Sequence, residues 1–302
     1  GLHQRDPDYV WRRLRVIALE EVSVADLALV SQVLAIAGKR QLRAKLGERA
    51  VLAYLTRRLV QSAKCRTPCD MVSWLDPVDG EAPLHGVPVG AEHVGLDDLE
   101  GIRHAAALWR DLAPQSVRIA GRWVTSGQRD PARRDALLEQ VDAPAALRYI
   151  VRKGHGTYAL NTLSVPAHQL ARLRPARHTR HEPLPESLEL IGGIPAYAYC
   201  MYSAAGREAL RQWLARNRWQ VDGALQPKDR LGVLGHLVFY VEGGFCARRL
   251  DIASGAAIET ASEHALLGRY GIDPNQVRAF KDSIPLLLPS LNQARRRVME
   301  KH

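Results

Sequence analysis

The sequence predicts a mainly α-helical protein. A small antiparallel helical domain over residues 1–76 is joined by a linker at 77–95 to a larger α-rich domain over 96–302. Three observations predict this. Apolar residues recur at helical spacing along most of the chain, start and stop signals fall at the ends of those stripes, and a run of closely spaced Pro and Gly interrupts them after the first helices. At 302 residues the chain is long enough for two domains, each with its own core.

The first stripe is Val10, Leu14 and Ile17, at i, i+4 and i+7, with Arg12 and Arg15 off it. Ser23-Val24-Ala25-Asp26 has the hydroxyl-to-carboxylate spacing of a capping box and predicts a helix start. Leu27, Val30, Val33, Leu34 and Ala37 continue at helical spacing to a stop at Gly38. A third helix is expected over 47–63, burying Val51, Leu52, Leu55 and Leu59, and a short fourth over 70–75. Helices with such brief connections form an antiparallel array.

Pro77, Gly80, Pro83, Gly86, Pro88 and Gly90 then mark the linker. Helical spacing returns over 99–112, 130–141 and 143–153, with Pro131 and Pro144 where a first helical turn accepts proline. One short hairpin is expected over 117–125, about Gly121. A second Pro-rich connection spans 174–195. Helices are expected near 206–217, 229–241, 255–270 and 274–283. Pro285 and Pro289 are expected to break the chain beyond the last of these, before the charged end Arg295-Arg296-Arg297.

The formal net charge is +10 and the pI near 9.7, and only seven of the 42 basic residues are Lys. Guanidinium is weakly hydrated and grips phosphate through paired hydrogen bonds, so this balance points to nucleic acid or another acidic partner. A GC-rich genome that codes freely for Arg is the other source of such a composition. No apolar run approaches a membrane span; the longest, Ile284 to Leu291, carries two prolines, so no membrane partner is expected. No signal-peptide pattern stands at the start, and Gly1 in place of Met reads as a processed or engineered start. Four scattered cysteines are too few for a secreted disulfide scaffold, and the expected location is the cytoplasm.

Arg12-Arg13-Leu14, followed by Ile17-Ala18, Glu20-Glu21-Val22 and Val24-Ala25-Asp26, resembles the helical collar of the RarA/MgsA family, AAA+ ATPases related to clamp loaders. Ala53-Tyr54-Leu55 and the break after Ala63 are similar to that family's third helix and the loop after it. The resemblance covers about a quarter of the chain. Glu21 replaces the family's Asp, and Ser23 stands where the family mostly has Gly. No G-x-x-x-x-G-K-[ST] phosphate loop occurs, which excludes ATP hydrolysis by the P-loop route. The resemblance implies self-association through these helices and placement at replication forks, with replication or repair proteins as partners, and it implies no catalytic residue and no cofactor. Glu20 and Glu21, at a helix C-terminus, are expected to be compensated in an ion-pair cluster with Arg12, Arg13 or an arginine from elsewhere.

Beyond the resemblance, two groups are candidates for binding nucleic acid, DNA above all. Arg172, Arg174, Arg177 and Arg180, beside His178 and His181, form a phosphate-facing loop or a solvated linker. Tyr197 and Tyr199, with Tyr202, precede a helix on which Arg207, Arg211 and Arg218 share one face; they form a stacking platform for single strands or simply a core. Cys65 and Cys69 have zinc-like spacing with His85 and His93 downstream, but C-x3-C followed by H-x7-H fits no common zinc ribbon, so no metal is assigned. The expected function is a non-catalytic DNA-metabolism protein that binds DNA or replication proteins. The alternatives are a nucleic-acid-processing enzyme drawing on His155, Glu242 or His264, and a protein-interaction adaptor.

Overall fold

The computed structural model describes residues 7–75, 135, 138–139, 141–153, 160–173, 178–180, 189–222, 230–243, 248–269 and 274–300. Among them the fold is mainly α-helical, with eleven α-helices and two short antiparallel strand pairs. The hairpin expected over 117–125 and the helix expected over 99–112 lie outside the described residues. The chain forms two compact units, Gly1–Arg180 with Arg248–Ser262, and His181–Ala247 with Glu263–His302.

The first unit opens with α1 (Pro7–Ile17), which runs into a π-helical turn at Ala18–Val22 and a 3-10 turn at Ser23–Ala25. Its buried stripe is Trp11, Leu14 and Ala18, while Ile17 is exposed and Val10 half-buried. The stripe thus sits one residue round from the expected Val10–Leu14–Ile17, because Trp11 is the larger apolar group. Trp11 Nε1 donates to Glu48 Oε1 at 2.7 Å, and the Arg43 guanidinium lies 4.9 Å from the indole centre. Arg43 is itself buried, bonded to Asp8 at 3.0 Å, to Glu48 at 3.1 Å and to the Ala37 carbonyl. One network therefore closes the end of α2 (Leu27–Ala37) and joins it to α1 and to α4 (Glu48–Gln61).

The start of α2 differs from the expected capping box. Asp26 is its N-cap, accepting from Leu29 N at 2.9 Å. Ser23 instead has φ 43° and ψ −123°, backbone that glycine adopts without strain and that a side chain resists. This is the position where the resembled collar mostly has Gly. The Ser23 hydroxyl is fully buried against Ser164 Oγ at 3.1 Å; Ser164 already donates to Leu160 O, so Ser23 is the donor.

Between α2 and α4 lies the seven-residue α3 (Arg40–Leu46), which was not expected. In α4 Leu55 and Leu59 are buried and Val51 and Leu52 pack half-buried on the same core. The fourth expected helix, α5, runs Thr67–Leu75. The unit continues well past residue 76, the boundary drawn from the linker's composition. The N-terminal helices alone leave Val24, Leu27 and Met71 uncovered. They are covered by α6 (Ala145–Lys153) and α7 (Leu160–Arg172), with Ile150, Leu160, Leu163 and Ala167 in the shared cores, and by Leu250, Ile252 and Ile258. Arg15, off the α1 stripe as expected, donates to the Lys153 carbonyl at the end of α6. Strand β1 (His178–Arg180) pairs antiparallel with a strand over Arg249–Asp251, with Thr179 opposite Leu250.

The second unit begins with a tight hairpin, β2 (Leu190–Ile191) and β3 (Ile194–Pro195), turning through Gly192 and Gly193 at φ 59° and 77°. Helix α8 (Ala204–Asp222) comes next, broken at Asn217, and then α9 (Arg230–Gly243). The Arg249–Asp251 strand, β4, belongs to the first unit, as does the first half of α10 (Gly255–Arg269). The last helix, α11 (Pro274–Met299), is continuous through Pro285 and Pro289, contrary to the expected break. Both prolines stand on its exposed side, so the carbonyls they leave unbonded face water. On the other side Ile284, Leu287, Leu288 and Leu291 pack with Trp213, Leu234 and Val238, and Trp213 Nε1 donates to Ser290 Oγ at 2.7 Å. Packing holds the helix together where its own ladder is interrupted.

Candidate nucleic-acid interface

The basic feature with the most definite geometry lies in the first unit, where the end of α4 meets the β1–β4 ribbon. Lys64 pairs in parallel with Arg249: Lys64 N donates to Arg248 O at 2.9 Å and Leu250 N to Lys64 O at 2.8 Å. The segment after α4 is thereby held as a third short edge beside β4. Because strand side chains alternate, Thr179, Arg248 and Leu250 lie on one face of the ribbon. That face and the last turn of α4 enclose a cleft of about 280 Å³ lined by Asp26, Arg58, Gln61, Ser62, Thr179 and Arg248 among others.

The cleft is cationic for local reasons. The terminal carbonyls of α4 would present partial negative charge, but Lys64 Nζ bonds Leu59 O, Val60 O at 3.2 Å and Ser62 O at 2.7 Å, and so places an ammonium there. Among the described residues Asp26 is the one carboxylate in the lining, and it is engaged by the N-terminus of α2. Arg58 and Arg248 are both exposed, and the Gln, Ser and Thr groups add neutral donors. Two guanidinium groups with hydroxyl and amide donors form a set that suits phosphate oxygens. Arg58 also donates to Tyr54 Oη at 3.0 Å.

The residues singled out in the sequence fall in both units. Arg172, at the end of α7, and Arg180, at the end of β1 next to the cleft-lining Thr179, are exposed residues of the first unit. Arg174 and Arg177 lie outside the described residues. In the second unit Arg207 and Arg211 are exposed one turn apart on α8, and Arg211 is ion-paired with Glu208. Arg218 is exposed but lies past the Asn217 break, where φ is −121°, so the regular face it was expected to share is interrupted. Tyr197 is partly exposed. Tyr199 is a core residue: it is 7% exposed, its hydroxyl donates to Ile191 O at 3.1 Å, and its ring has no face for a base. Arg58 and Arg248 were not foreseen. Nothing in the sequence marks them out from other arginines, because what joins them is the pairing of residue 64 with residue 249.

A second charged group, around Asp70, is enclosed. Glu21 lies 3.9 Å from Arg66, and Arg249 3.5 Å from Glu259. Burial pushes the Asp70 carboxyl up to about 7, against the pull of Arg66 and Arg249. Glu20 is raised by burial and by Glu21, with Arg13 and Arg66 opposing. Glu21 thus has the expected arginine from elsewhere, Arg66, whereas burial outweighs the arginines at Glu20. Cys65 and Cys69 are free thiols pushed by burial to about 11 and about 12, hence protonated at neutral pH. Among the described residues no group of three or more His, Cys, Asp and Glu is placed to hold a metal ion; His85 and His93 lie outside them.

Two of the three residues of the enzyme alternative are described. Glu242 is buried and spends both oxygens on Arg295, at 2.7 and 2.6 Å. His264 is exposed on α10, and His155 lies outside the described residues. No described helix is long and apolar enough to cross a membrane. Scans against protein-family models, curated proteins and solved structures each return no match to this chain.

Proposed function

We propose that this chain is a non-catalytic DNA-metabolism protein that binds DNA through its phosphates, with the α4–β4 cleft as a principal contact. The observation that carries the reading is that Arg58 and Arg248 line one cleft of about 280 Å³, in which the single carboxylate among the described residues is already engaged. Arg172 and Arg180 on the same unit, and Arg207 and Arg211 on the other, supply further exposed positive charge. The resemblance of the N-terminal helices to a RarA/MgsA collar favours replication or repair proteins as partners, and self-association through those helices.

Phosphate binding releases counterions, so affinity falls linearly with salt on logarithmic axes. Binding of labelled single-stranded, duplex and forked DNA, measured by anisotropy over about 50 to 200 mM salt, tests the reading. A loss of affinity of about tenfold or more across that range is expected. Absence of binding at the lowest salt contradicts it.

A further inference from the structure

Tyr54 stands one turn before Arg58 on the outer face of α4 and is 49% exposed. Its hydroxyl accepts from Arg58 Nη1 at 3.0 Å, while the guanidinium carbon is 5.9 Å from the ring centre, at the outer limit for a cation over an aromatic face. A guanidinium bonded to the hydroxyl and that far from the centre sits at the phenol end of the ring. At 49% exposure, part of the ring is open to another partner. Arg58 itself lines the cleft with Arg248. An aromatic face and a pair of guanidinium groups, joined by a residue that touches both, supply the two contacts that one nucleotide of an unpaired strand needs: stacking for the base and neutralisation for the phosphate. In a duplex the base faces are already stacked on one another, and the ring has nothing to receive.

We infer that Tyr54, Arg58 and Arg248 form a single-strand site, in which one base stacks on Tyr54 while the adjoining phosphate lies between the two arginines. This rests on the cleft reading above and adds that the strand bound there is unpaired.

The test compares the full chain with its Tyr54→Ala, Tyr54→Phe and Arg248→Ala variants. Binding to oligothymidylate of about 20 nucleotides and to a duplex of the same length is followed by anisotropy at low salt. Thermal midpoints of the half-exposed Tyr54 variants check that each is folded. Tyr54→Ala is expected to weaken single-strand binding by about tenfold and leave duplex binding unchanged. Tyr54→Phe is expected to keep single-strand affinity, since stacking needs the ring and not the hydroxyl. Arg248→Ala is expected to weaken both. If Arg248→Ala weakens binding while Tyr54→Ala has no effect, or an equal effect on both forms, this inference fails and the phosphate reading stands. Equal loss in Tyr54→Phe overturns it as well, because the tyrosine would then act only by holding Arg58. If the unaltered protein binds neither DNA, the phosphate reading itself fails.

Discussion

At the residue scale, two buried carboxylates behave oppositely. Glu242 is ion-paired with Arg295, a pair with almost no exposure, and Arg295 is further held by Asn292 Oδ1 at 2.7 Å and the Tyr199 carbonyl at 3.1 Å. Removing one partner strands a buried charge, so Glu242→Gln is expected to destabilise the fold by about 3 kcal/mol. Replacing both partners with Leu and Met is expected to cost much less, and denaturant unfolding of the two variants distinguishes them. Asp70 is held neutral instead. Its value rises from 3.8 in the unfolded chain to about 7 in the fold, so the folded protein keeps a proton that the unfolded chain releases. Its effect is to lower stability as pH rises from 3.8 to about 7, with no further change above. Asp70→Asn is accordingly expected to raise stability more at about pH 8 than at about pH 4, by roughly 4 kcal/mol. Thermal unfolding at the two pH values checks it, and an equal effect at both would contradict the assignment. The charge partners of Glu20 and Glu21 were legible as types in the sequence. Arg66 was not legible as the specific one, because it arrives from a segment over forty residues away.

At the scale of elements, helices with one apolar stripe were legible and two other kinds were not. The spacing in α2 and α4 located both to within a residue or two. Helix α7 was missed because it is buried on nearly all sides, from Leu160 to Ala171, and carries Pro166; a helix with no exposed face has no stripe to read. The hairpin at Ile191-Gly192-Gly193-Ile194 did leave a signal, a Gly-Gly pair between apolar residues, and it was absorbed into the Pro-rich connection. Helix α11 shows the opposite failure, a strong local signal overruled by packing. Since Pro289 is exposed and breaks only the helix's own ladder, Pro289→Ala is expected to stabilise the fold by about 1 kcal/mol, read as a rise in thermal midpoint. A fall would mean that the proline shapes the helix its core needs.

At the scale of the whole molecule, composition motivates the proposed partner but does not set the architecture. The mainly α class comes from periodicity, but the extent of the first unit does not. Residues 135–180 and 248–262 join it because its N-terminal helices cannot cover Val24, Leu27 and Met71 themselves. The same long-range pairing builds the cleft, since Arg58 and Arg248 come together only when the chain returns along β4. The most direct measurement is the salt dependence of DNA affinity for the unaltered chain and for the Arg58→Ala/Arg248→Ala double variant. The double variant is expected to bind more weakly, with a slope of log affinity against log salt shallower by about 1.5 to 2, as for the loss of two phosphate contacts. An unchanged slope, with affinity intact, would contradict it.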